Sequence, residues 1–172
     1  SVPLAADVCN DSRLELILGN EIYGVNITNL EGTSGNTVSL VSQTTPPNGT
    51  PTDGNVQVAD FNADGYLDVL ISIRNTAYYS GTVYCYVWDV HNNTVSVPLT
   101  INTSWSGKSI PMIADIDNDG LMEILIQCGV SGTNERFQAY KYQSNIQTFS
   151  FLWGFATDED SYSNSITSFD FN

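Results

Sequence analysis

Short acidic stretches recur along this chain at nearly constant spacing, and that spacing constrains the fold more than any other feature. They read ADVCNDSRLELIL (6–18), ADFNADGYLDVLI (59–71) and ADIDNDGLMEILI (114–126), with a fourth, FDFN, at 169–172. Their leading aspartates, Asp7, Asp60, Asp115 and Asp170, stand 53, 55 and 55 residues apart. Eleven of the 19 acidic residues fall inside these stretches, so the acid is placed rather than spread for solubility. A fixed period of this length marks a repeat architecture.

Each period reads as strands. In the second, NVQVADF precedes the acidic stretch, YLDVLISI follows it, and GTVYCYVWDV and VSVPLTI come next around the turn HNNT. The third repeats the plan with MIADI, LMEILIQ, RFQAYKYQ and TFSFLWGF; the first shows LELILG, EIYGVNI and TVSLVSQ. These segments are rich in Val, Ile, Tyr and Trp and are separated by Asn, Gly and Ser. No stretch sustains a helical apolar spacing over three turns, and 14 % charged residues is too few to wet the outer faces of long helices. About four strands per period predicts an all-β chain of β-propeller blades, since solenoid rungs are shorter and sandwiches lack so long a repeat. The units are expected at about 3–54, 55–109 and 110–165, within one propeller domain, with a fourth beginning at 166. Three units do not close a ring, so the chain is expected to be part of a longer propeller of roughly six to eight blades.

The composition excludes several functions. A net charge of −14 leaves no basic stripe for nucleic acid, and no segment approaches the ~18 continuous apolar residues of a membrane span. Cys9, Cys85 and Cys128 share no spacing and form no disulfide framework; Cys85 and Cys128 read as small buried hydrophobes. Sequons stand at Asn10, Asn26, Asn48, Asn92 and Asn102, in a chain where Asn, Ser and Thr are common enough to produce them by chance. The single histidine, His91, reads as a hairpin tip. No nucleophile elbow, His-x-x-x-His pair or phosphate-cradling loop is present. Trp88, Trp105 and Trp153 are expected in blade cores rather than on a sugar-stacking surface.

What the acidic stretches offer is oxygen. Counted from Asp60, positions 1, 3, 5 and 9 are Asp60, Asn62, Asp64 and Asp68, with Gly65 at position 6; the third stretch gives Asp115, Asp117, Asp119, Glu123 and Gly120. Alternate positions of a tight loop turn their oxygens toward one centre, and glycine supplies the positive φ that wraps the chain around an ion. The position-7 carbonyl, from Tyr66 or Leu121, is the natural fifth ligand. Hard oxygen donors select Ca2+ over zinc or copper, and so many protein ligands disfavour Mg2+. An EF-hand would need helical flanks and a bidentate Glu at position 12; that position holds Ile71 and Ile126.

The first stretch departs from the pattern. Asp7, Asp11 and Glu15 keep positions 1, 5 and 9, and Arg13 brings a carbonyl to position 7, but Cys9 stands at 3 and Ser12 at 6. A neutral thiol is a poor ligand for Ca2+, and a serine at positive φ costs about 1 kcal/mol. Counting charges, the expected order of affinity is third loop, second, first, the first binding weakly or not at all. Asp170 and Asn172 belong to the fourth stretch, of which the sequence holds only the opening.

The pattern D-x-[DN]-x-D-G-x-x-[DE] between apolar strands at blade spacing resembles the FG-GAP, or VCBS-like, repeat family, which includes integrin α-subunit propellers. The resemblance extends over essentially the whole chain, although neither an FG nor a GAP tripeptide occurs. It implies a propeller with Ca2+ between the first two strands of a blade, held by Asp60, Asn62, Asp64, Tyr66 and Asp68, then by Asp115, Asp117, Asp119, Leu121 and Glu123. It further implies a secreted or cell-surface module with structural Ca2+ that binds an extracellular protein or glycan. The alternative is the propeller of a polysaccharide-degrading enzyme similar to rhamnogalacturonan lyases; the lack of a convergent acid–base set favours the binding module over the enzyme.

Overall fold

The computed structural model describes residues 3–47, 54–76, 81–103, 111–127 and 135–156. Cys128 and the fourth acidic stretch, with Asp170 and Asn172, lie outside them. The described residues form strands and turns without a helix, in three antiparallel sheets. The first sheet runs β1 (Leu4–Ala6), β2 (Glu15–Leu18), β3 (Glu21–Asn26) and β4 (Thr37–Gln43) in chain order. The second contains β5 (Asn55–Ala59), β6 (Asp68–Thr76), β7 (Gly81–Asp89), β8 (Thr94–Val95) and β9 (Leu99–Thr103), and the third β10 (Met112–Ala114), β11 (Glu123–Gln127), β12 (Glu135–Gln143) and β13 (Thr148–Ala156). Each sheet is a meander of the kind a propeller blade requires.

In one respect the sequence expectation is corrected. VSVPLTI reads as a single fourth strand, yet β8 and β9 each pair with β7 separately. Pro98 has no N–H for the ladder and sits between them. Ser96 bridges the break: its hydroxyl accepts from Val87 N at 3.0 Å and its own N–H donates to Val87 O at 2.9 Å.

The sheets stack through their side chains, and the middle one is buried on both faces. Val69, Ile71, Ile73, Tyr86 and Trp88 face the first sheet and pack with Ile17 and Ile22. Leu70, Val83, Cys85 and Val87 face the third, meeting Ile124, Ile126, Tyr140 and Tyr142. The consecutive apolar run Val69–Leu70–Ile71 follows from this, since neighbouring side chains leave a strand on opposite faces. Each fully buried Val, Leu or Ile side chain stabilises the stack by roughly 1.5–3 kcal/mol. The two outer faces carry apolar side chains as well. Val38 and Leu40 are 62 % and 52 % exposed on the first sheet, and Trp153 and Phe155 are 41 % and 50 % exposed on the third. Phe137 stacks on both of the latter, at centroid distances of 5.7 and 5.0 Å.

Three acidic loops as a candidate metal centre

All three acidic stretches fold as the connection between the first and second strands of a sheet, in the same register. The alanine before position 1 pairs with the position-9 acid each time: Ala6 with Glu15, Ala59 with Asp68, Ala114 with Glu123. These strand flanks bear out the distinction from an EF-hand.

The position-1 aspartate closes the turn. Asp60 accepts from Asp64 N at 3.1 Å and Gly65 N at 2.9 Å. Asp115 accepts from Asp119 N and Gly120 N at the same distances, and Asp7 from Asp11 N and Ser12 N at 3.0 and 2.9 Å. The position-5 carboxylate accepts from the N–H of position 7 in each loop: Asp11 from Arg13, Asp64 from Tyr66, Asp119 from Leu121, at 2.9–3.0 Å. The backbone is left-handed at position 6, where Ser12, Gly65 and Gly120 have φ of 68°, 88° and 88°. Ser12 therefore adopts the glycine conformation, and the first loop closes like the others despite its irregular sequence. Position 4 is left-handed too, at Asn10, Ala63 and Asn118, with φ of 54–58°.

The position-9 acid points inward. One oxygen accepts from the N–H of position 2: Glu15 from Val8 at 3.0 Å, Asp68 from Phe61 at 3.0 Å, Glu123 from Ile116 at 2.9 Å. The other oxygen of Asp68 is buried with no hydrogen bond, whereas that of Glu123 is buried against the Lys141 ammonium, 3.3 Å away. Burial pushes the Asp68 carboxyl up to about 7, and the negative charges of Asp89, Asp64 and Asp60 add to that against the pull of the Phe61 N–H. A buried carboxylate oxygen without a partner is expensive, and a cation in the loop would complete it. Asp7, Asp11 and Glu15 bring carboxylate oxygens within 4.8 Å of one another, as do Asp115, Asp117 and Glu123, and each group could hold a metal ion. Cys9 is exposed as a residue, but partial burial of its thiol, followed by the Glu15 and Asp11 charges, raises it to about 11, which keeps it protonated at neutral pH.

The second loop is arranged differently. Asn62 accepts from Asp64 N at 3.0 Å, while its amide nitrogen donates to Asp64 Oδ2 and to Asp89 Oδ2 at 3.1 and 3.2 Å. Tyr66 stacks on His91. In the third loop the ammonium of Lys141 reaches Asp117 at 3.0 Å and Glu123 at 3.3 Å and hydrogen-bonds Asp119. That hydrogen bond holds the Asp119 carboxyl below its usual range and raises Lys141. The acidic stretches themselves gave no sign of Asp89, His91 or Lys141, which lie some 20 residues downstream; aligning the second and third strands of each sheet is the step that finds Asp89 and Lys141.

Three loops of one geometry, each opening a blade-like sheet, point to a single kind of repeat. Residues 7–71 match the family model of the FG-GAP-like repeat. The matched span runs from position 1 of the first loop to position 12 of the second, so it takes in two of the three loops. Neither the curated proteins nor the solved structures yield a match. Among the described residues no helix is long and apolar enough to cross a membrane.

Proposed function

We propose that this chain is a stretch of a Ca2+-stabilised propeller, belonging to a secreted or cell-surface protein that binds an extracellular protein or glycan. The observation that carries the reading is the buried, unpartnered Asp68 Oδ1, set among Asp60, Asp64 and Asp89. The ligand set is Asp60, Asn62, Asp64, Asp68 and the Tyr66 carbonyl, with Asp115, Asp117, Asp119, Glu123 and the Leu121 carbonyl, then Asp7, Asp11, Glu15 and the Arg13 carbonyl, as counterparts. Three carboxylates within a few ångströms repel by roughly 1 kcal/mol or more per pair. A divalent ion offsets that and joins the first two strands of a blade. Millimolar extracellular Ca2+ is enough to fill sites of modest affinity.

The apolar outer faces of the first and third sheets support a larger propeller, since Val38, Leu40, Trp153 and Phe155 would be covered by neighbouring blades. A glycan array probed with the full-length protein in Ca2+ and in EDTA, scored for binding and for cleavage, tests the role. Ca2+-dependent retention without cleavage supports the binding module. Cleavage would place the chain in an enzyme, and no retention of any glycan would leave a protein ligand as the partner.

A further inference from the structure

The residue that faces each loop from the third strand of its sheet differs in charge from blade to blade. Glu15 pairs with Gly24, and Glu123 pairs with Lys141. Val69 pairs with Trp88, so the adjoining step sets Asp68 opposite Asp89. The position is neutral in the first sheet, anionic in the second and cationic in the third.

Lys141 contacts the acids of positions 3, 5 and 9 together, the point on which the loop's oxygens converge. An ammonium is a compact charge with three donors, and here it answers charge that a metal ion would otherwise answer. It is one of only five basic residues in the chain. Asp89 has the opposite effect. Held by Asn92, it shares the Asn62 amide nitrogen with Asp64, at 3.2 and 3.1 Å, and so adds a fourth carboxylate to the surroundings of Asp60, Asp64 and Asp68. Among the described residues no lysine or arginine pairs with any of those four, because the ion pairs present all belong to Lys141. Gly24 offers no side chain, and a cleft of about 220 Å³ opens beside it over Asp11 and Glu15.

We propose that this facing residue decides which cation each loop takes: the Lys141 ammonium stands in for the metal ion in the third loop, whereas Asp89 completes a divalent-cation site in the second. The inference rests on reading the loops as Ca2+ sites. It takes the third loop out of the Ca2+ ligand set proposed above and moves it from first to last in the order that carboxylate counting gives, leaving the second and first loops metal-responsive.

Calorimetric titration of the intact chain with Ca2+ tests it. Asp60→Asn should remove one bound ion relative to the wild type, Asp117→Asn should remove none, and Lys141→Met should add one. Lys141→Met should also melt below the wild type in EDTA and recover when Ca2+ is added. Loss of an ion on Asp117→Asn overturns the proposal, and that variant keeps Lys141, so the test holds even if Lys141→Met does not fold. No gain in Lys141→Met, with Asp60→Asn still losing one, overturns it while leaving the metal reading intact. If neither the wild type nor Lys141→Met binds Ca2+, both fall together.

Discussion

The backbone N–H of Phe61 donates to Asp68 Oδ2 at 3.0 Å, while the Phe61 ring is 1 % exposed between the second and third sheets. One residue thus anchors the loop in the core and orients its innermost acid. The ring meets Tyr142 edge-on at a centroid distance of 6.0 Å. Phe61→Ala should therefore destabilise by about 3–5 kcal/mol through the cavity it leaves, read as a lowered midpoint in urea. Because the substitution keeps the N–H, Ca2+ binding by the folded variant should persist.

Ala63 holds φ of 58° at the position where the other loops have Asn10 and Asn118. The left-handed region costs an alanine roughly 1–2 kcal/mol, and asparagine tolerates it better through its short polar side chain. Ala63→Gly relieves that strain, less the entropy glycine loses on folding, for a net gain of about 0.5–1 kcal/mol. Thermal denaturation should show Ala63→Gly above the wild type and Asn118→Ala below it.

Asp68 gives the metal-free protein a pH dependence of definite sign. Its carboxyl is raised from 3.8 to about 7 on folding, so between those values the folded state holds more protons than the unfolded one. The stabilising contribution is full below about pH 4 and is lost as pH rises through about 7. In EDTA the melting temperature should fall across that window, and Asp68→Asn, which carries no charge to lose, should flatten the fall. Saturating Ca2+ should flatten it as well.

Much of this architecture could be read from the order of residues. The period near 55, the β-rich segments and the nine-position loops all surface locally, because strand alternation and loop ligation are set by neighbours in sequence. What escaped reading depends on partners far along the chain. Lys141 and Asp89 act only through the register of third strand against second. The split at Pro98 depends on how β8 and β9 each meet β7. The first loop looked degenerate, yet the Asp7 hydrogen bonds to Asp11 N and Ser12 N hold it in the same turn, since one side chain there supplies most of the closure. Trp153 reads as core by type, yet it is 41 % exposed on the outer face of the third sheet.

The proposed divalent ion in the acidic loops would stabilise the sheets it joins. The most direct measurement is the melting temperature of the intact chain in EDTA and then in millimolar Ca2+, with Asp60→Asn beside the wild type. A clear rise with Ca2+ is expected, growing with the logarithm of its concentration above the dissociation constant, with a smaller rise in Asp60→Asn. An unchanged melting temperature in EDTA and Ca2+ alike would contradict it.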